Sequence, residues 1–254
     1  MKMSKSIIDL DEQFPRLSNA PIVEAALDIR VVPPVKWDES SLENELKKRL
    51  PNYSKIEPVR EARYQLSPGK PGHMTVEDFG CVGFKLHSND NLHIAQFNKS
   101  AFVFSRLRPY EDWNQFSQEA TRLLVIYHEL LHPTEVIRIG LRFINRIDIQ
   151  SETVELADYY KYPPEPLREL NWPLTGYINH DVVQVPGTPY SVNLIKTIQH
   201  TPGETGLILD IDVFMQNNFE YDEPSIIKYL KEMRWVKDKI FFNSLAEKAL
   251  AEFR

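Results

Sequence analysis

The sequence predicts an α+β protein in which antiparallel strands pack against long helices. Apolar and polar residues alternate over residues 137–149, which is typical of a strand with one buried face. Over residues 111–132 and 224–253 the apolar residues recur every three to four positions, which is typical of helices that bury one face. With 254 residues, 42% hydrophobic and 26% charged, the chain is long enough for one large domain or two small ones.

The predicted elements follow one another with clear start and stop signals. A strand over 22–32 ends at Pro33, and Ser40 with Glu43 forms a capping box that opens a short helix to about residue 50. The other predicted elements are strands near 60–67, 73–79, 81–87 and 91–107, a helix over 111–132, a strand over 136–149, a short helix over 153–161, strands over 174–185, 190–201 and 205–216, and a helix over 224–253.

The order of these elements repeats. We expect a flexible N-terminal segment (1–18) and then two α+β halves (19–134 and 135–254) that form a single compact unit. The duplicated β-α-β(4)-α order resembles the TATA-binding-protein-like fold, in which two halves join into one curved antiparallel sheet backed by helices. A helix-grip fold, whose sheet wraps around one long C-terminal helix, is the alternative.

Composition and missing motifs exclude several classes of protein. The formal net charge of -6 argues against broad, non-specific coating of nucleic acid. A single cysteine, Cys81, excludes an intramolecular disulfide and a cysteine-rich zinc module. The sequence shows no signal peptide, membrane-spanning run, glycine-rich phosphate loop or nucleophile elbow. We therefore expect a cytoplasmic protein without membrane association, and the sequence predicts no cofactor.

A row of arginines is the main candidate binding site. Residues 138, 142 and 146 share the polar face of the 136–149 strand, about 13 Å apart at about 3.3 Å per residue. Guanidinium groups bind oxyanions through a planar fork, so the row is either an anion-binding surface or one side of an ion-pair ladder. For a ladder, acidic partners are available in Glu24, Asp28, Asp210 and Asp212. The candidate ligand-binding residues are Arg138, Arg142, Arg146, Arg106, Arg108 and Asn145.

The string His128-Glu129-Leu130-Leu131-His132 matches the HExxH pattern of zinc hydrolases. On a helix its two imidazoles share one face, and Glu129 is placed as a general base. Against this interpretation, Pro133 ends the helix directly after His132, and no third ligand follows at a suitable distance. Asp210 and Asp212 are an alternative carboxylate pair for a hydrolase.

Several strings together resemble a sporadically distributed bacterial family of unknown function. They are Asn19 to Ala25, Ser105-Arg106-Leu107, and above all Arg138 to Ile147 (RIGLRFINRI). The resemblance covers nearly the whole chain and includes the arginines but not the HExxH string. It implies no particular activity or cofactor, and the patchy distribution of the family fits phage-defence or toxin–antitoxin gene sets.

These observations predict a non-enzymatic cytoplasmic binding or regulatory protein. Its arginine row would bind an acidic protein, a nucleotide or a nucleic-acid segment, and a homodimer is compatible with this function. The alternatives are a zinc-dependent hydrolase that uses His128, Glu129 and His132, and a structural subunit of a larger assembly.

Overall fold

A computed structural model describes residues 8–33, 36–66, 74–149, 155–164, 172, 175–201 and 203–254 of the chain. Within this part, four α-helices accompany one nine-stranded sheet in which every pair of neighbouring strands is antiparallel. The predicted α+β class is therefore confirmed.

The elements are β1 (Ile22–Val31), α1 (Glu39–Arg49), β2 (Lys55–Leu66), β3 (Met74–His87), β4 (His93–Asn98), β5 (Ala101–Leu107), α2 (Trp113–Leu131), β6 (Val136–Ile149), β7 (Ile178–Gln184), β8 (Ser191–Thr201), β9 (Glu204–Phe219), α3 (Glu223–Ser244) and α4 (Glu247–Ala251). A 3-10 turn, Leu156–Asp158, lies between β6 and β7. The order of strands across the sheet is β2-β3-β4-β5-β1-β6-β9-β8-β7. No helix in the described ranges is long and apolar enough to cross a membrane.

The first strand of each half lies at the centre of the sheet, where β1 and β6 are neighbours. In the first half, β1 pairs with β5, and β4, β3 and β2 follow outwards. In the second half, β6 pairs with β9, and β8 and β7 follow outwards. In both halves, therefore, the chain moves to an outer strand and returns strand by strand until its last strand pairs with its first.

The helices pack on one face of the sheet. Helix α2 contacts β5, α3 contacts β6 and β9, and α1 contacts β3. Phe116 of α2 lies against Phe104 of β5 and Phe143 of β6, with ring centroids 5.5 and 6.1 Å apart. Because successive side chains of a strand point to opposite faces, one mainly apolar row from each of β1, β6 and β9 enters this core, and the charged residues of these strands face the helix-free side.

Several expected boundaries differ from the structure. The segments 73–79 and 81–87 are one strand, β3, which bends at bulges near Gly80 instead of ending there. The single strand expected over 91–107 is two strands, β4 and β5, because the chain reverses at Lys99 and Ser100. The reversal at Lys99 and Ser100 contains neither glycine nor proline, so the sequence pattern does not mark it.

Three helix predictions also need correction. Helix α1 is capped by Asp38, whose carboxylate accepts a hydrogen bond from the amide of Ser41 at 3.0 Å, so Ser40 lies inside the helix. Of the helix expected over 153–161, residues 153–154 lie outside the described residues and the rest contains only the 3-10 turn. The final helix breaks at Leu245 and Ala246 and resumes as α4.

The cap of α1 gives a direct test of this assignment. Replacing Asp38 by Ala removes the acceptor for an otherwise unpaired backbone amide, and we expect a loss of about 1 kcal/mol in the free energy of unfolding. Ser40→Ala is the matched control, and we expect it to cost less than about 0.5 kcal/mol. Urea unfolding monitored by circular dichroism measures both. An equal or larger loss for Ser40→Ala would show that the capping box operates instead.

Candidate binding site

The arginine row lies on the helix-free face, at the middle of the sheet. Arg142 of β6 is directly opposite Ala26 of β1 on one side and Asp212 of β9 on the other. The row is thus flanked by two strands that place carboxylates on the same face, as the ladder interpretation of the sequence requires.

Arg138 joins the two halves of the chain. Its Nη1 donates to Oδ1 of Asp28 on β1 at 3.2 Å, and its Nη2 donates to Oδ2 of Asp212 on β9 at 3.0 Å. The guanidinium also lies over the ring of Phe214, 5.1 Å from the centroid. Arg138 therefore bridges three strands through a single side chain.

Arg142 binds one carboxylate with two parallel hydrogen bonds. Its Nε and Nη2 donate to the two oxygens of Asp210 at 2.8 and 2.5 Å. The side chain of Asp210 is 8% exposed, whereas that of Arg142 is 49% exposed. Its Nη1 donates to no described residue. Asp210 therefore fixes the orientation of a guanidinium whose outer edge faces solvent.

Arg146 uses all of its nitrogens within the protein. It donates to Asp148 at 2.6 Å, to Gln199 at 3.2 Å and to Glu204 at 3.2 Å, and its side chain is only 12% exposed. Of the three arginines in the row, Arg146 is the least available to a ligand and Arg142 the most.

Acidic residues outnumber the arginines on this face. On β1, β6 and β9 it carries Arg30, Arg138, Arg142 and Arg146 together with Glu24, Asp28, Asp148, Glu204, Asp210 and Asp212. The hydrogen bond to Asp210 raises the pKa of Arg142. Burial raises the pKa of Asp212, and the charge of Arg138 opposes that rise. The face is a network of paired charges without a positive field.

The other predicted ligand-binding residues do not join the row. Arg106 lies on the helix side of β5, 5% exposed, and donates to the carbonyl of Pro109 at 2.9 Å and pairs with Glu111 at 3.2 Å. Asn145 also lies on the helix side, and its Nδ2 donates to the carbonyl of Leu209 at 2.9 Å. Arg108 is exposed just beyond the end of β5.

A cavity that the sequence analysis does not predict lies on the helix side of the sheet. Its volume is about 580 Å³, and its walls come from residues 10–22, residues 110–114 and the 231–242 part of α3, with Asn145 between them. Since these segments are far apart along the chain, no local pattern could bring them together. The buried asparagine at 145, which interrupts an apolar strand face, was the one local signal.

Two of the three HExxH side chains, those of His128 and Glu129, are engaged in other contacts, and His132 lies just beyond the end of the helix. His132 follows the last residue of α2 and adopts a left-handed conformation (φ 46°). The ring of His128 stacks on Tyr221 with centroids 3.9 Å apart, and Glu129 accepts from Nη1 of Arg49 at 2.6 Å. Among the described residues, no three His, Cys, Asp or Glu side chains are placed to hold a metal ion.

The chain matches no family model, and no characterised protein is significantly similar to it in sequence. The candidate sites must therefore be judged from their geometry.

We expect the Arg142–Asp210 pair to be energetically coupled. In a double-mutant cycle of Arg142→Met and Asp210→Asn, the coupling in the free energy of unfolding should be about 1 kcal/mol, because one partner is buried and the hydrogen bonds are paired. Arg30→Met is the control, since its pair with Asp28 is exposed and should contribute less than about 0.5 kcal/mol. Strict additivity in the cycle would contradict a bracing role for this pair.

Stability should also depend on the protonation of His128. Burial lowers the pKa of this imidazole, so the unfolded chain takes up its proton at a higher pH than the folded chain does. Stability is then lost as the pH falls below about 6.5, the unfolded value. In urea unfolding, His128→Gln should gain stability relative to the wild type between pH 8 and pH 5. Equimolar zinc should leave the wild-type melting temperature unchanged, and a rise would revive the metal interpretation.

Proposed function

We propose that the protein is a non-enzymatic binding protein whose helix-free sheet face, centred on Arg142, docks a partner protein. One observation carries the proposal: Asp210 holds both donors of one edge of Arg142, while the outer edge of this half-exposed guanidinium is free of described partners. A carboxylate or carbonyl oxygen of the partner is the complementary group. Arginine is one of the residues enriched among the few that supply most of the binding energy of protein interfaces.

The charge of the face supports a protein over a nucleic acid. Affinity for nucleic acid comes largely from unpaired Lys and Arg that neutralise phosphates. Here each arginine of the row already pairs with carboxylates, and acidic residues are in excess. A docked phosphate backbone would meet six carboxylates and only four arginines on β1, β6 and β9.

The surroundings of Arg142 also favour a protein. Ile144 of β6 and Ile195 of β8 lie in register on either side of Asp210, and Phe214 of β9 lies over Arg138. All three apolar side chains are partly exposed on the face. Apolar side chains around a fixed arginine are typical of the centre of a protein–protein interface.

We further propose that the chain is a duplicated, TATA-binding-protein-like unit with a curved sheet. The adjacent central strands β1 and β6 and the matching outward order of the two halves support this interpretation. The helix-grip alternative places one long helix against the sheet, whereas here α2 packs on the first half and α3 on the second. Membership of the sporadically distributed bacterial family, a place in a phage-defence or toxin–antitoxin gene set, and the cytoplasmic location stay predictions of the sequence.

Site-specific photo-crosslinking in the native host tests the docking face. The photoreactive residue replaces Arg30, which is exposed on the sheet face, or Gln118, which is exposed on α2 on the opposite side. We expect position 30 to give an adduct with one other protein and position 118 to give none. Adding Arg142→Lys should reduce the adduct at least tenfold, because lysine keeps the charge beside Asp210 and loses the fork.

Arg122→Lys on α2 is the matched control and should leave the adduct unchanged. Melting temperatures of the purified variants confirm that both still fold. The proposal fails if position 30 gives no adduct, if the adduct is sensitive to nuclease, or if it persists in Arg142→Lys. An adduct with twice the mass of the chain would show that the face binds a second copy of this protein instead of a different partner.

A further inference from the structure

The cavity on the helix side has the size of a small-molecule site. Its volume of about 580 Å³ falls within the range of about 300–1,000 Å³ that is usual for such sites. It lies on the opposite side of the sheet from the arginine row, so it is separate from the docking face. Residues 10–22 form its outer wall, α3 forms one side, and Asn145 of β6 lines part of its interior.

A buried lysine lines this cavity. Lys237 of α3 is 9% exposed, and its Nζ lies 4.3 Å from the centroid of the Phe143 ring. Its described ion-pair partner is the neighbouring Asp238, which also pairs with Nε of Arg234 at 3.4 Å. Since a charge is buried at a cost unless it is paired, one carboxylate shared between two cations leaves room for a second anion.

The other acidic residues of the cavity wall are engaged elsewhere. They are Glu12, Glu111 and Asp112. Glu12 accepts from Nζ of Lys239 at 2.5 Å and from Nε1 of Trp235 at 2.9 Å, Glu111 pairs with Nη2 of Arg106 at 3.2 Å, and Asp112 caps α2 through the amide of Gln115 at 2.9 Å. None of these carboxylates neutralises Lys237 or Arg234.

Two further cations add to this excess. Lys231 and Arg16 line the cavity, and neither forms an ion pair with another described residue. The cavity wall thus carries four cations and four carboxylates. Two of these carboxylates, Glu12 and Glu111, are already paired with Lys239 and Arg106 outside the wall, so positive charge is in excess there. A small anion would therefore be held at this wall more strongly than at the acidic surface around it.

Aromatic side chains stand beside the cations. The guanidinium of Arg234 lies over Trp113, 5.3 Å from the ring centroid, and Trp235 lines the same cavity. Tyr110 packs edge-on against Phe143 with centroids 5.8 Å apart, and burial raises the pKa of its hydroxyl, which stays protonated as a donor. Flat apolar surfaces next to cations suit a ligand that has a ring and an acidic group.

We propose that this cavity binds a small anion with a planar apolar group, its carboxylate or phosphate on Lys237 and Arg234 and its ring against Trp113. Residues 10–22 close the outer side through the contacts of Glu12 and through Phe14, whose ring stacks on Phe242 with centroids 5.6 Å apart.

Titration of the purified protein with simple probes tests the proposal. Trp113 and Trp235 line the cavity and are two of the four tryptophans of the chain, so their fluorescence reports on occupancy. We expect saturable changes with phenyl phosphate or phenylacetate. Benzyl alcohol, inorganic phosphate and acetate should each bind at least tenfold more weakly. Whichever of the two aromatic anions binds more tightly shows whether the acidic group of the ligand is a phosphate or a carboxylate.

Variants assign the binding to the cavity. Lys237→Met keeps the length of the buried side chain and removes its charge, and it should raise the dissociation constant at least tenfold. Arg234→Met is the second variant, to be used in case Lys237→Met does not fold. Lys228→Met, on the exposed side of α3, should leave the constant within twofold, as should Arg142→Lys on the opposite face of the sheet. The proposal is overturned if neither aromatic anion binds, or if the folded Lys237→Met or Arg234→Met protein binds the anion as tightly as the wild type does.

Discussion

The antiparallel pairing of β1 with β6 is the interaction on which the rest of the structure depends. These two strands join the two halves of the chain, and every other strand is attached to them in sequence outwards. Their register places Leu27 opposite Leu141 on the helix side and Ala26 opposite Arg142 on the other side. A slip of one residue would exchange the faces and bring the charged residues into the core, so the burial of one face specifies the register strongly.

The arginine row reinforces the same register from the solvent side. Arg138 binds Asp28 on β1 and Asp212 on β9 at once. Both hydrogen bonds depend on the observed alignment of β1, β6 and β9. Only at Arg142 are the two interpretations of the row compatible, because this residue both pairs with an acid and keeps an exposed edge for a ligand. Asp210 braces Arg142 along one edge and leaves the other edge exposed, whereas Arg138 and Arg146 are committed to the protein.

The two faces of the sheet have different chemistry. The helix-free face carries paired charges and partly exposed apolar residues, which suits a folded partner. The helix side carries a cavity lined by the buried Lys237, by exposed cations and by aromatic residues, which suits a small anion. Asn145 and Arg106 belong to the cavity side, although the sequence analysis grouped them with the arginine row. Asn145 lines the cavity, and Arg106 forms an ion pair with Glu111, which also lines it.

Local periodicity by itself determined the α+β class, the strands β1 and β6, the approximate positions of the long helices, and the shared face of Arg138, Arg142 and Arg146, because each of these follows from a repeat of two or about 3.6 residues. Only the tertiary structure decided which acids pair with which arginines and how the strands are ordered across the sheet. It alone formed the cavity, since residues 10–22, 110–114 and 231–242 become neighbours only when α3 and residues 10–22 pack on the sheet. Partners that are distant in sequence are chosen by strand order and helix packing, and no short-range pattern encodes either.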